Sequence, residues 1–178
     1  MTYQNLHVHS HYSVLDGLGL PEEYVLAAKE NGQVAIALTD HGSLSGHREW
    51  QVACKEHGIK PILGIEAYIS ATDRFDKRDK AVRSDGTDVY NHIVILAKDG
   101  VGLKNLQRLS EIAWTEGYYY KPRIDLEVLS EHSEGLVILS GCLNGLISKA
   151  IERNDRDKGL EYARWFHKQF GDDFYIEV

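Results

Sequence analysis

Val34-Ala35-Ile36-Ala37-Leu38-Thr39-Asp40-His41-Gly42 is an apolar, strand-sized run that ends in an acid and an imidazole. In α/β folds, ligands and catalytic groups gather at the carboxyl ends of strands. A charged Asp-His pair in such a place needs partners, because burying it unpaired is expensive. Read alone, the pair is either functional or a helix cap beside a satisfied histidine. The flanking sequence is helical on both sides. Upstream, Pro21 suits a first helical turn, Glu22 and Glu23 suit its dipole, and Gly32 suits its end. Downstream, Ser45–His57 closes at Gly58.

The alternation continues along the chain. Strands are expected near Asn5–His9, Val34–Thr39, Ile59–Ile69, Ile93–Ala97, Leu136–Ser140 and Phe174–Val178, six in all. Leu103–Glu116 carries Leu103, Leu106, Leu109, Ile112 and Ala113 on one helical stripe, and Ile147–Arg153 and Lys158–Phe170 are the last helices. Strands separated by helices predict an α/β fold with largely parallel pairing. Residues 71–90 break the rhythm: charged and poor in large aliphatics, they read as a surface excursion. No internal repeat or low-complexity tract appears.

Composition bounds the chemistry. The 178 residues suffice for one domain, and 43% hydrophobic content is that of a globular core. No apolar run approaches the roughly 20 residues of a membrane span, and no signal peptide is readable. Cys54 and Cys142 lie far apart without Cys-x-x-Cys spacing, which predicts a reducing, cytoplasmic setting. The net charge of -7 argues against a surface that holds nucleic acid by basic residues alone. Binding phosphate would need local positive charge, and nine histidines offer one source, a metal cluster.

The candidate ligands fall in small groups. In His7-Val8-His9-Ser10-His11, alternate strand residues share a face, so His7 and His9 can present paired imidazoles. A lone His-x-His has a surface explanation too. Asp16, before Gly17, is a turn former or a ligand. Glu66 sits in the apolar run Gly64-Ile65-Glu66-Ala67-Tyr68, as a paired acid able to bridge cations or as an edge residue facing water. His92 opens Ile93-Val94-Ile95-Leu96. Cys142 follows Gly141 just past a strand, as a presented thiol or as buried filler. His47, His57, His132 and His167 are scattered and read as surface residues.

Taken together, His-x-His near the start, Asp-Gly shortly after, Leu-Thr-Asp-His-Gly, Pro-Ile-x-Gly-Ile-Glu and a later His before an apolar strand resemble the signature of the PHP (polymerase and histidinol phosphatase) family. The resemblance covers essentially the whole chain. It narrows to the branch found in bacterial DNA polymerase III alpha subunits at three stretches. These are His7–Gly17, Gly117-Tyr118-Tyr119-Tyr120-Lys121-Pro122-Arg123-Ile124-Asp125, and Leu139-Ser140-Gly141-Cys142-Leu143-Asn144-Gly145. Phe174-Tyr175-Ile176-Glu177-Val178 fits the same branch.

The resemblance implies a distorted (β/α)7 TIM-like barrel of PHP type, incomplete at its C-terminus, with up to three divalent ions (Zn, Mn or Fe) at one mouth. It places one ion on His7, His9 and Glu66, a second on Glu66, His92 and Cys142, and a third on Asp16 and His41. Asp40, His41 and Glu66 are the implied catalytic residues, Asp40 by orienting ligands. The family's later Asp-x-His is absent, so the first and third ions would each lack a ligand. His92 begins its strand, which requires either an antiparallel strand or a different ligand.

The implied reaction is metal-assisted hydrolysis of a phosphate ester, proofreading a DNA primer end in an intact parent. Lys121 and Arg123 are candidate phosphate contacts, or a solvated basic loop. The implied partners are the primer end, the remainder of the alpha subunit and a separate proofreading subunit, with no membrane. Two alternatives belong to other classes: a non-catalytic docking module for the polymerase, and a free-standing small-molecule phosphatase. A length of 178 residues leaves no room for polymerisation machinery. The abrupt ending suggests a piece of a longer protein, and an unclosed barrel would expose a sheet edge and favour self-association.

Overall fold

The computed structural model describes residues 3–78 and 88–178. Helix α1 (Pro21–Glu30) starts where expected: the Glu23 carboxylate accepts the Leu20 N–H at 2.7 Å, and Glu22 and Glu23 sit at the positive end of the dipole. Strand β1 (Ala35–Leu38) follows and is buried along its whole length. Helix α2 (His47–His57) starts two residues later than expected and ends at Gly58. Strands β2 (Lys60–Ile69) and β3 (Asn91–Ala97) flank the excursion, of which residues 79–87 lie outside the described residues. Helix α3 (Gly100–Thr115) is capped by Asp99, whose carboxylate accepts the N–H groups of Val101 and Gly102.

Two short elements were not legible. They are β4 (Arg123–Ile124) and α4 (Leu126–Glu131), the latter capped by Asp125 on the Val128 N–H. Strand β5 (Leu136–Leu139), α5 (Leu146–Glu152), α6 (Arg156–Phe170) and β6 (Phe174–Tyr175) complete the chain. The expected strand at Asn5–His9 is reduced to one bridge, Asn5 to Ile36. Thr39 Oγ1 takes the Val8 N–H at 2.9 Å, the partner a ladder carbonyl would otherwise supply, while the backbone N–H groups of Ala37 and Thr39 still donate to Asn5 O and Val8 O. The final strand is likewise two residues instead of five.

The sheet runs β1-β2-β3-β5-β6, with β4 paired to β2. β1–β2, β2–β4 and β5–β6 are parallel; β3 is antiparallel to both β2 and β5. A mixed α/β fold with a parallel-rich, unclosed barrel-type sheet results. The direction of β3 answers the question posed by His92. Running against its neighbours, β3 puts its first residues beside the carboxyl ends of β2 and β5, with His92 opposite Tyr68.

Apolar packing covers both faces of the sheet. One large cluster joins Ile65, Ile93, Ile95 and Ile138 to Leu106 and Leu109 of α3 and Phe166 of α6. A second packs Val25, Trp50 and Cys54 of α1 and α2 on Ile36 and Leu38. The third, Ala37, Val94, Leu96 and Leu139, plugs the concave face. Glu66 pairs with Val94, and Val94 with Leu139, so the carboxylate stands on the same face as this plug.

Candidate metal centre

Glu66 is 1% exposed and is surrounded by imidazoles. His41 Nδ1 lies 2.6 Å and His9 Nε2 3.3 Å from Oε2; His92 Nδ1 lies 3.1 Å and His7 Nε2 3.4 Å from Oε1. Asp16 Oδ2 adds a second carboxylate, 3.0 Å from His41 Nε2 and 3.8 Å from His9 Nε2. Cys142 Sγ is 3.8 Å from Glu66 Oε1 and 3.9 Å from His92 Nδ1. The structure thus brings His7, His9, Asp16, His41, Glu66, His92 and Cys142 into one cluster at the carboxyl ends of the parallel strands.

Local backbone explains how each side chain arrives. Asp16 sits on a loop folded back on His11, whose N–H donates to Gly19 O. Gly17 is required there, since a Cβ would lie 1.9 Å from Ser10 O. Gly141 adopts φ 77° as the chain leaves β5, and the turn presents Cys142.

Ser13 and Glu177 control two of the imidazoles, and neither was singled out from sequence. Ser13 Oγ donates its one proton to Asp40 Oδ1 at 2.7 Å and accepts the His41 N–H at 3.0 Å. His9 Nδ1, 3.2 Å from the same oxygen, must therefore be the donor in that contact. His9 Nε2 is left as the nitrogen that faces Glu66. His7 Nδ1 is 2.6 Å from Glu177 Oε1, which again leaves Nε2 facing Glu66. Ser13 is four residues beyond His9, a local signal; Glu177 is 170 residues from His7 and has none.

Asp40 is 1% exposed, and both its oxygens accept hydrogen bonds from Ser10 and Ser13. Arg123 requires correction. It is fully buried, and its guanidinium donates to the backbone carbonyls of Gly117, Arg74, Asp76 and Val89. It clamps the excursion's two limbs and is not a substrate contact. His47 is also corrected: it is part-buried, and Nε2 donates to Gly64 O at 2.8 Å. His57 is tied to Glu22 on the surface.

The charges are strongly coupled. Burial disfavours the Glu66 carboxylate, but the close approach of His41, His7, His9 and His92 outweighs it and holds the group far below the ordinary range. Burial alone would lower His7, yet Glu177 and Glu66 raise it to about 9. His41 is raised against its own burial by Glu66 and Asp16.

These residues fit divalent cations. Buried His7 Nε2, His41 Nδ1 and Glu66 Oε2 have no hydrogen-bond partner, although nitrogen and oxygen face one another at short range. Three groups, His7-His9-Glu66, His9-Asp16-His41 and His41-Glu66-His92, each hold ligand atoms within 4.8 Å of one another. Imidazole, carboxylate and thiol donors suit zinc, manganese or iron. A cleft of about 870 Å³ opens before the cluster, lined by Tyr12, Asp16, His41, Tyr68, Tyr90, His92, Lys121 and Lys149 among others.

Known proteins agree with this architecture. A family model described as the PHP domain matches residues 5–178. DNA polymerase III subunit alpha of Aquifex aeolicus is 44% identical over 177 residues, 99% of this chain and 15% of the relative. The corresponding subunits of Chlamydia trachomatis and Treponema pallidum are 43% and 42% identical over 100% of the chain, covering 14% and 15% of their lengths. The chain thus spans about 15% of the length of such relatives. Among solved structures, a metal-dependent phosphoesterase from Bifidobacterium adolescentis superposes with a TM-score of 0.57 at 15% identity, over 98% of this chain and 76% of that one, a likeness of fold. The chain belongs to the PHP domain family and is similar along its whole length to a segment of DNA polymerase III alpha subunits.

Proposed function

We propose that this domain is a metal-dependent phosphoesterase acting on DNA ends, as part of a replicative polymerase alpha subunit in the cytoplasm. The observation that carries the reading is the meeting of four imidazoles on buried Glu66, two of them also facing Asp16, with unpartnered ligand atoms facing each other. His7, His9, Asp16, His41, Glu66, His92 and Cys142 would hold up to three divalent ions. Such ions, when bound, lower the pKa of water and offset the charge of a phosphate.

The remaining steps belong to side chains. Lys121 overhangs the Tyr68 ring, its ammonium 5.2 Å from the centroid, and serves as a phosphate anchor at the cleft. Lys149, paired with Glu152 at 2.7 Å, offers a second. Tyr90, its ring edge-to-face with buried Tyr68 at 5.0 Å between centroids, gives a base an aromatic wall at the cleft. Asp16, 56% exposed at its side chain and bonded to His41, stands at the rim of the cleft, where its carboxylate would hold an ion on the side open to substrate. The local lysines and the cluster answer the deficit set by a net charge of -7.

The test is release of mononucleotides from primed DNA with added manganese or zinc, using His9→Ala to control for contaminating nuclease. Release that persists in the variant, or no release from the loaded wild type, overturns the catalytic reading. A docking role for the polymerase or its proofreading subunit is the second reading. It is supported by Val14, Leu15, Leu18 and Leu143, which are 80%, 102%, 94% and 83% exposed. Negligible bound metal in the purified chain would favour it.

A further inference from the structure

We propose that Glu177 is a positioning residue that fixes His7 Nδ1 as the donor nitrogen, and thereby couples loading of the His7-His9-Glu66 group to docking of the segment after β6. The inference rests on the metal-binding part of the proposed function and adds a residue and a coupling to it.

Three observations carry it. The first is the contact: Glu177 Oε1 lies 2.6 Å from His7 Nδ1, a charge-assisted hydrogen bond. An imidazole that donates from one nitrogen to a carboxylate presents the lone pair of the other, the usual way a metal-binding histidine is oriented. His7 Nε2 is that other nitrogen, buried, unpartnered and 3.4 Å from Glu66 Oε1.

The second is what holds Glu177. Its backbone N–H donates to Ser140 Oγ at 3.0 Å, and the Ser140 N–H donates to Tyr175 O at 3.0 Å. The segment is fastened to the end of β5, and its carboxylate reaches out to a residue of the N-terminal segment. The third is the gap it crosses. A cleft of about 530 Å³ separates the two segments, with Leu6, His7 and His9 among the residues on one side and Val137, Leu139 and Ile176 on the other. The Glu177–His7 bond spans this cleft beside the metal group. Anything that fixes His7 therefore favours the docked segment, and the docked segment favours a ligand-ready His7. Linkage makes the two effects reciprocal.

The experiment uses the whole chain and zinc alone, in wild type, Glu177→Gln and Glu177→Leu. Zinc affinity is measured by chelator competition, His7 ligation by imidazole nitrogen chemical shifts of the loaded protein, and docking by hydrogen exchange of the β6 amides. The expected result is zinc binding about 10- to 100-fold weaker in Glu177→Leu. Glu177→Gln, whose carbonyl oxygen still accepts the Nδ1 proton, should lose less. Zinc should slow β6 exchange in wild type and not in the leucine variant. Unchanged affinity and protection in Glu177→Leu overturn the proposal and leave the metal site intact. Equal losses in both variants with a common fall in melting temperature also overturn it, as a merely structural role. A wild type that takes up no zinc overturns the proposed function and the coupling together.

Discussion

At the residue scale, the centre is a carboxylate enclosed by bases, and its protons dictate how the metal-free protein responds to pH. His7 is raised from 6.5 to about 9, so its contribution to stability is complete below pH 6.5 and is lost as pH rises toward 9. Glu66 is depressed from 4.5, so its contribution is complete above about 4.5 and is lost as pH falls through its folded value. Thermal melting in chelator should therefore show greatest stability between these limits, with an alkaline fall across 6.5 to 9. Glu66→Gln should make that alkaline fall shallower by removing one of the two carboxylates on His7. Zinc competes with the same protons, so its apparent affinity should climb across that window, read by calorimetry at pH 6 and pH 8. A melting temperature that rises from pH 6.5 to 9 without metal would contradict this account.

At the element scale, the direction of β3 and the clamp at Arg123 do the positioning. An antiparallel β3 between parallel neighbours lets His92, the second residue of its strand, join residues from the ends of theirs. Arg123 ties carbonyls of Arg74 and Asp76 on one limb of the excursion to Val89 on the other, next to Tyr90 at the cleft. Replacing it strands buried carbonyls, so Arg123→Met should destabilise by about 3 kcal/mol or more in urea unfolding. Arg123→Lys should recover little, because a single ammonium cannot fork among four acceptors. Amide exchange at Val89 and Tyr90 should quicken in both. A lysine variant of wild-type stability would show that charge alone suffices.

At the scale of the whole molecule, the sheet curls until the N-terminal segment faces β6 across the apolar cleft beside Val137 and Ile176. β6 pairs only with β5 among the described residues and is two residues long, which limits the edge it offers to another chain. Apolar lining and an incompletely paired edge together predict reversible self-association that grows with concentration. Sedimentation velocity should show it, and Ile176→Lys should weaken it. A single monomer boundary at high concentration in wild type would rule it out.

The alternation of apolar runs and helical stripes was enough to specify an α/β fold, because burial of one face imposes a period on the chain. α1, β1, α3 and β5 all fall within two or three residues of where that period put them. The candidate ligands were legible for a related reason: acids, imidazoles and a thiol beside apolar strands need partners, and the family pattern supplied their grouping. Orders of contact that ignore sequence distance were not legible. The sequence pattern alone could not orient β3, reduce Asn5–His9 to a bridge, or send Arg123 inward to four carbonyls. Glu177 reaches His7 across 170 positions. Period and composition record what each segment must bury; which buried groups then meet depends on how the sheet curls, and that is decided only when all the strands are in place.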